Sequence, residues 1–89
     1  MSWRIVFARQ AAKDATKLKG ARLDGKAKQL IEKMKEDPFA YPPQYEALVG
    51  DLQGFYSRRI NVKHRLVYQV LEEEHAVKIL SMWSHYESM

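Results

Sequence analysis

The feature that most constrains this chain is Phe55-Tyr56-Ser57-Arg58-Arg59-Ile60-Asn61-Val62-Lys63-His64-Arg65-Leu66-Val67-Tyr68, a stretch with no Gly, no Pro and no acid. Aromatic and β-branched residues in both halves favour strands. Asn61-Val62-Lys63 between them reads as a tight three-residue hairpin loop. If Ile60 pairs with His64, the register follows: Arg59 faces Arg65, Arg58 faces Leu66, and Tyr56 with Tyr68 makes a cross-strand aromatic pair. Like charges directly opposite each other are destabilising. Arg59 against Arg65 therefore needs splayed side chains in water, a carboxylate between them, or a bound anion. Two guanidiniums aimed at one point suit a phosphate, because each stays charged and offers planar, bidentate donors.

The flanking segments set the rest of the architecture. Residues 2–7 read as a short strand. Residues 8–19 read as a helix with Ala8, Ala11, Ala12, Ala15 and Leu18 at helical spacing, stopped at Gly20. A second helix over 21–36 carries the apolar stripe Leu23, Ala27, Leu30, Ile31 and Met34 and ends before Asp37-Pro38. An irregular connection with Pro38, Pro42 and Pro43 follows. Strands are expected over about 46–52, 54–60, 64–71 and 75–82. The pattern predicts a single α+β domain over residues 1–89, with two N-terminal helices packed on one face of a twisted antiparallel β-sheet.

Composition removes several function classes. With 89 residues and no Cys, a disulfide scaffold, thiol catalysis and a Cys-based zinc site are excluded. A chain this short is not expected to hold a deep interdomain cleft, so a site should lie on a rim or in a shallow groove. No apolar run approaches a membrane span, and Met1-Ser2-Trp3-Arg4 lacks the apolar stretch of a signal peptide. A cytoplasmic setting is the expectation. The net charge of +4 is unevenly spread. It resolves into a Lys-bearing helical hairpin and a block of Arg58, Arg59, Lys63 and Arg65, with no acid between Asp51 and Glu72. Such a block suits a phosphate-rich partner, or is a solvated hairpin tip.

Topology adds groups that transfer protons. A last strand running antiparallel beside 64–71 brings Trp83-Ser84-His85-Tyr86 near His64 and Arg65. His85 is then either an exposed His or, beside the Arg pair, a candidate general acid. Glu46 is the only acid between Asp37 and Asp51. It is either an ordinary surface carboxylate or the nearest available base.

These residues resemble a known family. Pro38-Phe39, Glu46-Ala47-Leu48, the run from Leu52 to Ile60, His64-Arg65-Leu66-Val67-Tyr68 and the closing His85-Tyr86 are similar to the YoeB/Txe toxins, in the RelE-like branch of bacterial toxin–antitoxin systems. The resemblance is strong over residues 38–86. It implies the RelE-like fold and a ribosome-dependent endoribonuclease that cuts mRNA in the ribosomal A site. It also implies a YefM/Phd-type antitoxin, operator DNA bound by the toxin–antitoxin complex, and a homodimer. Carried over by position, Glu46, Arg65 and His85 are the catalytic residues. Arg59 and Tyr86 bind substrate, with Arg58, Lys63 and His64 as further phosphate-binding candidates. The implied chemistry uses no metal and no cofactor. Val49 departs from the Lys of some relatives, and Glu87-Ser88-Met89 extend past the His-Tyr pair. Two other readings fit parts of the pattern. A non-catalytic nucleic-acid-binding module would account for the Arg pair alone. A ParE-like gyrase-inhibiting toxin would generally lack the acid and base kept here.

Overall fold

The computed structural model describes residues 2–41, 44–48 and 54–84. Its elements, in chain order, are strand β1 (Arg4–Phe7), helices α1 (Arg9–Gly20) and α2 (Asp24–Glu36), and strands β2 (Tyr45–Ala47), β3 (Phe55–Arg59), β4 (Arg65–Leu71) and β5 (Ala76–Ser84). A 3₁₀ turn over Glu72–Glu74 links β4 to β5. The strands form one sheet in the order β1-β5-β4-β3-β2. Strands β2 to β5 pair antiparallel, as expected. The edge strand β1 runs parallel to β5, so the sheet is mixed. A parallel neighbour needs a crossover, and the helical hairpin supplies it. No described helix is long and apolar enough to cross a membrane.

The helices cover one face of the sheet. Ala11, Leu18, Ala27 and Met34 meet Ile60, Leu66, Tyr68, Val77, Ile79 and Met82 in the core. On β3 and β4 the even-numbered residues 56, 58, 66 and 68 turn to the helices, because side chains alternate with period two. The odd-numbered 57, 59, 65 and 67 turn to the other face.

The hairpin register agrees with the sequence reading: Arg59 pairs with Arg65, Arg58 with Leu66 and Tyr56 with Tyr68. Asn61 fixes the loop, its Oδ1 accepting from the Lys63 and His64 backbone N–H groups at 2.9 and 2.7 Å.

Two local features differ from the sequence reading. The helical stop falls at Arg22 and not at Gly20, which is the last helical residue. Arg22 takes a left-handed φ of 61°. The Leu23 N–H reaches back to the Leu18 carbonyl at 2.8 Å and the Arg22 N–H to Lys19 at 3.1 Å. That double closure is a Schellman motif. In addition, β5 is bulged. As β4 runs back from Tyr68 to Arg65, β5 runs from Ile79 to Ser84 and carries two extra residues.

Candidate active site

Glu46 reaches the site through the strand pleat. Its neighbour Tyr45 turns to the helix side, where it packs edge-on to Tyr56 (6.0 Å between ring centroids) and beside Phe39 (5.9 Å). Tyr56 in turn packs on Phe39 and Tyr68. Such aromatic contacts contribute roughly 0.5–1.5 kcal/mol each beyond their buried area. With Tyr45 fixed, Glu46 must lie on the opposite face. There it pairs across the ladder with Ser57.

On that face Glu46 Oε1 lies 3.3 Å from an Arg65 terminal nitrogen. The same nitrogen donates to Ser57 Oγ at 3.3 Å. Ser57 is fully buried, and the Arg65 side chain is only 10% exposed against 38% for Glu46. A guanidinium so enclosed is held in one orientation, which favours charge stabilisation at a fixed point. The carboxylate is thus one of the three compensations the sequence left open for the Arg pair. It serves Arg65. Arg59, across the ladder, is exposed and makes no side-chain hydrogen bond or ion pair among the described residues. It borders an open groove of about 1060 Å³ between α2 and the β3–β4 loop, where Lys26, Lys28 and Lys33 also lie.

His64 is buried and stacked on Trp83, with ring centroids 4.0 Å apart and planes 21° from parallel. Its Nδ1 lies 3.0 Å from the Trp83 carbonyl oxygen. A carbonyl only accepts, so Nδ1 carries the proton. Lys63 is exposed in the hairpin loop. Ser84 is the Cα partner of Arg65, so β5 does bring Trp83 and Ser84 beside His64 and Arg65. His85, Tyr86, Val49 and Glu87-Ser88-Met89 lie outside the described residues.

Arg58 is corrected. It is fully buried on the helix face, away from Glu46 and Arg65. Its terminal nitrogen donates to the carbonyls of Pro38 and Ala40 at 2.9 and 3.0 Å. Its guanidinium lies 5.0 Å from the Tyr45 ring centre and 5.8 Å from that of Tyr68. Alternation along β3 puts adjacent arginines on opposite faces, so Arg58 and Arg59 cannot share a ligand. Arg58 instead holds the segment that delivers Tyr45 and Glu46. Tyr68 donates to the same Pro38 carbonyl, and burial pushes its phenol up to about 12, an effect that Arg58 partly opposes.

The sequence reading missed Ser57 as part of the site. Its signal was available: a small polar residue in an aromatic strand, on the same face as Arg59 and Arg65. Among the described residues no group of three His, Asp or Glu is placed to hold a metal ion.

The chain is similar to known proteins in both sequence and structure. A "Toxin YoeB" of Mycobacterium bovis is 42% identical over 57 residues, which are 64% of this chain and 65% of the relative. The matched stretch thus spans a little under two thirds of that curated relative. The structure is similar to that of a YoeB/ParE toxin from Agrobacterium tumefaciens, with a TM-score of 0.84, 32% identity, and 93% and 99% of the two chains covered. It is also similar to a Staphylococcus aureus YoeB dimer, with a TM-score of 0.82, 31% identity, and 97% and 100% covered. The Staphylococcus protein in a YoeB–YefM complex matches at 0.79, with the same identity and coverage. The family profile of YoeB-like toxins of bacterial type II toxin–antitoxin systems matches residues 7–86. With that profile spanning the helical hairpin and the whole sheet face that carries Glu46, Arg59 and Arg65, the chain belongs to the YoeB-like toxin family.

Proposed function

We propose that the chain is a ribosome-dependent endoribonuclease that cleaves mRNA in the ribosomal A site by attack of the RNA's own 2′-hydroxyl. The observation that carries this reading is the 3.3 Å contact of Glu46 with Arg65, with Arg59 opposite Arg65 in the ladder. Glu46 accepts the 2′-hydroxyl proton as general base. The 2′-oxygen bonds to phosphorus, and Arg65 with Arg59 stabilises the negative charge that grows on the phosphoryl oxygens. The bond from phosphorus to the 5′-oxygen breaks, and His85 supplies the proton to the departing oxygen. Tyr86 positions the phosphate or its base. The products are a 2′,3′-cyclic phosphate and a free 5′-hydroxyl. Protons balance between Glu46 and His85, and the scheme calls on no metal or cofactor.

The groove that Arg59 borders holds Lys26, Lys28 and Lys33 against Glu32 and Glu36, a cationic excess that supports a polyanionic partner running along that edge of the sheet. Lys63 in the loop serves the same approach, and His64 lines the site through Trp83. A YefM/Phd-type antitoxin is the proposed neutralising partner, operator DNA the proposed target of the toxin–antitoxin complex, and a homodimer the proposed free state. The Staphylococcus relative, solved both with YefM and as a dimer, supports the first and last of these. A cytoplasmic location fits all of them.

The test is cleavage of ribosome-bound mRNA by the wild type and by Glu46→Ala and His85→Ala variants, with 5′ ends mapped. Codon-phased cuts that fall about 10²–10⁴-fold in either variant support the reading. Growth arrest with intact messages overturns it.

A further inference from the structure

Asp14 lies in the middle of α1, only 2% exposed. Its Oδ2 accepts the Met82 backbone N–H at 2.9 Å, and its Oδ1 accepts from Gln10 Nε2 at 2.8 Å. A carboxylate is costly to bury, so its placement against a strand calls for a reason. That reason lies in β5. Strand β1 accompanies β5 only as far as Ile79, whose carbonyl takes the Ala8 N–H at 2.9 Å. Beyond that point the chain of β1 has turned away into α1. The bulges of β5 begin at the same place, and the ladder with β4 passes over Met82. Met82 N–H thus sits where neither neighbouring strand takes it up, and a buried amide left without a partner is costly. Asp14 reaches across from the helix to supply the acceptor.

The consequence reaches the site. Each extra residue in a strand reverses the facing of all that follow. Val77 and Ile79 face the core, and after the first bulge Met82 does so, while Trp83 packs at the edge of the core and stacks on His64. The same register leaves Ser84 opposite Arg65, where the described strand ends. We infer that Asp14 is a positioning residue: by holding the Met82 N–H it fixes the bulge that sets Trp83 over His64 and Ser84 opposite Arg65. This rests on the proposed nuclease reading only for its kinetic readout.

The experiment compares the wild type with Asp14→Ala, Asp14→Asn and a control destabilised elsewhere, Ala27→Gly in α2. Single-turnover cleavage of ribosome-bound mRNA is measured beside ribosome affinity, and NMR follows the Met82 amide and the contact between the Trp83 and His64 rings. Asp14→Ala is expected to slow the cleavage step by about 10–100-fold, the range of a displaced catalytic geometry, with affinity within about twofold. It should also lose the Trp83–His64 contact. Asp14→Asn, which keeps an oxygen for the amide, should restore cleavage to within about threefold, and Ala27→Gly should cleave normally. An Asp14→Ala protein that cleaves like the wild type, keeps the ring contact, or slows no more than Ala27→Gly overturns the inference. Where Asp14→Ala does not fold, Gln10→Ala takes its place, with faster Met82 amide exchange and a cleavage loss of about threefold expected. Faster exchange with unchanged cleavage then overturns it. If the wild type itself cuts no mRNA, the nuclease reading falls, and the ring contact in the variants still decides the role of Asp14.

Discussion

Arg58 and Tyr68 donate to the same oxygen. From paired strands, the guanidinium and the phenol each reach the Pro38 carbonyl at 2.9 Å. The shared acceptor ties the turn after α2 to the centre of the sheet, and that turn leads into the strand carrying Glu46. The Arg58→Ala variant is expected to lose about 3 kcal/mol of stability, since hydrogen bonds to a buried charged group are among the costlier to remove. Urea denaturation checks the figure. A variant with wild-type stability and weakened RNA binding would return Arg58 to the substrate side.

Tyr68 gives the fold an alkaline limit. Its phenol is raised from 10.0 to about 12 by burial. A protonated form favoured in the folded state stabilises fully below the unfolded value, near pH 10. That contribution is lost as pH climbs through about 12. Stability should therefore fall between those limits by an amount of order 2–3 kcal/mol. The Tyr68→Phe variant should be weaker than the wild type near neutrality, by about 1 kcal/mol for the lost hydrogen bond, and should fall less steeply in the alkaline window. Denaturation midpoints across that window are the measurement, and parallel curves for the two proteins would contradict the assignment.

Ser57 orients Arg65. The Ser57→Ala variant should fold normally and cleave roughly tenfold more slowly, because one of the contacts that hold the guanidinium is gone. Single-turnover kinetics would show the loss in the cleavage step and not in ribosome affinity. A change confined to affinity would assign Ser57 another role.

Arg22 is held in a left-handed conformation that costs a residue with a Cβ about 1–2 kcal/mol. Arg22→Gly relieves it, less the greater freedom Gly has when unfolded, for a net gain of about 0.5–1 kcal/mol. Arg22→Val should lose at least as much. Thermal midpoints of the two variants should move in opposite directions.

The parts of this structure that were legible in the sequence are those set by local rules. The β3–β4 register followed from a three-residue loop and the match of Tyr56 to Tyr68, and that register alone placed Arg59 opposite Arg65. What escaped depended on contacts distant in sequence. Arg58 looks like its neighbour until the helices cover one face of the sheet. Asp14 falls between Ala11 and Leu18 on the buried stripe of α1, a spacing that hinted at burial without naming its partner in β5. The β5 bulges left only the adjacent apolar pairs Ile79-Leu80 and Met82-Trp83, which break strict alternation. The helix stop was misplaced because Gly20 satisfied the usual preference while the loop geometry put the positive φ two residues later.

The parallel pairing of β1 with β5 bears on the order in which the chain assembles during its own synthesis. Strand β1 is made before its hydrogen-bonding partner, residues 76–79, with both helices and three strands between them. The core face of α1 likewise waits for Val77, Ile79 and Met82. Contacts this far apart in sequence form late and slowly. A growing chain carries Glu46, Arg59 and Arg65 before it owns the strand that braces them. The nascent chain thus holds the site residues without their brace, and an interval set by folding separates their synthesis from the closing of the sheet around them.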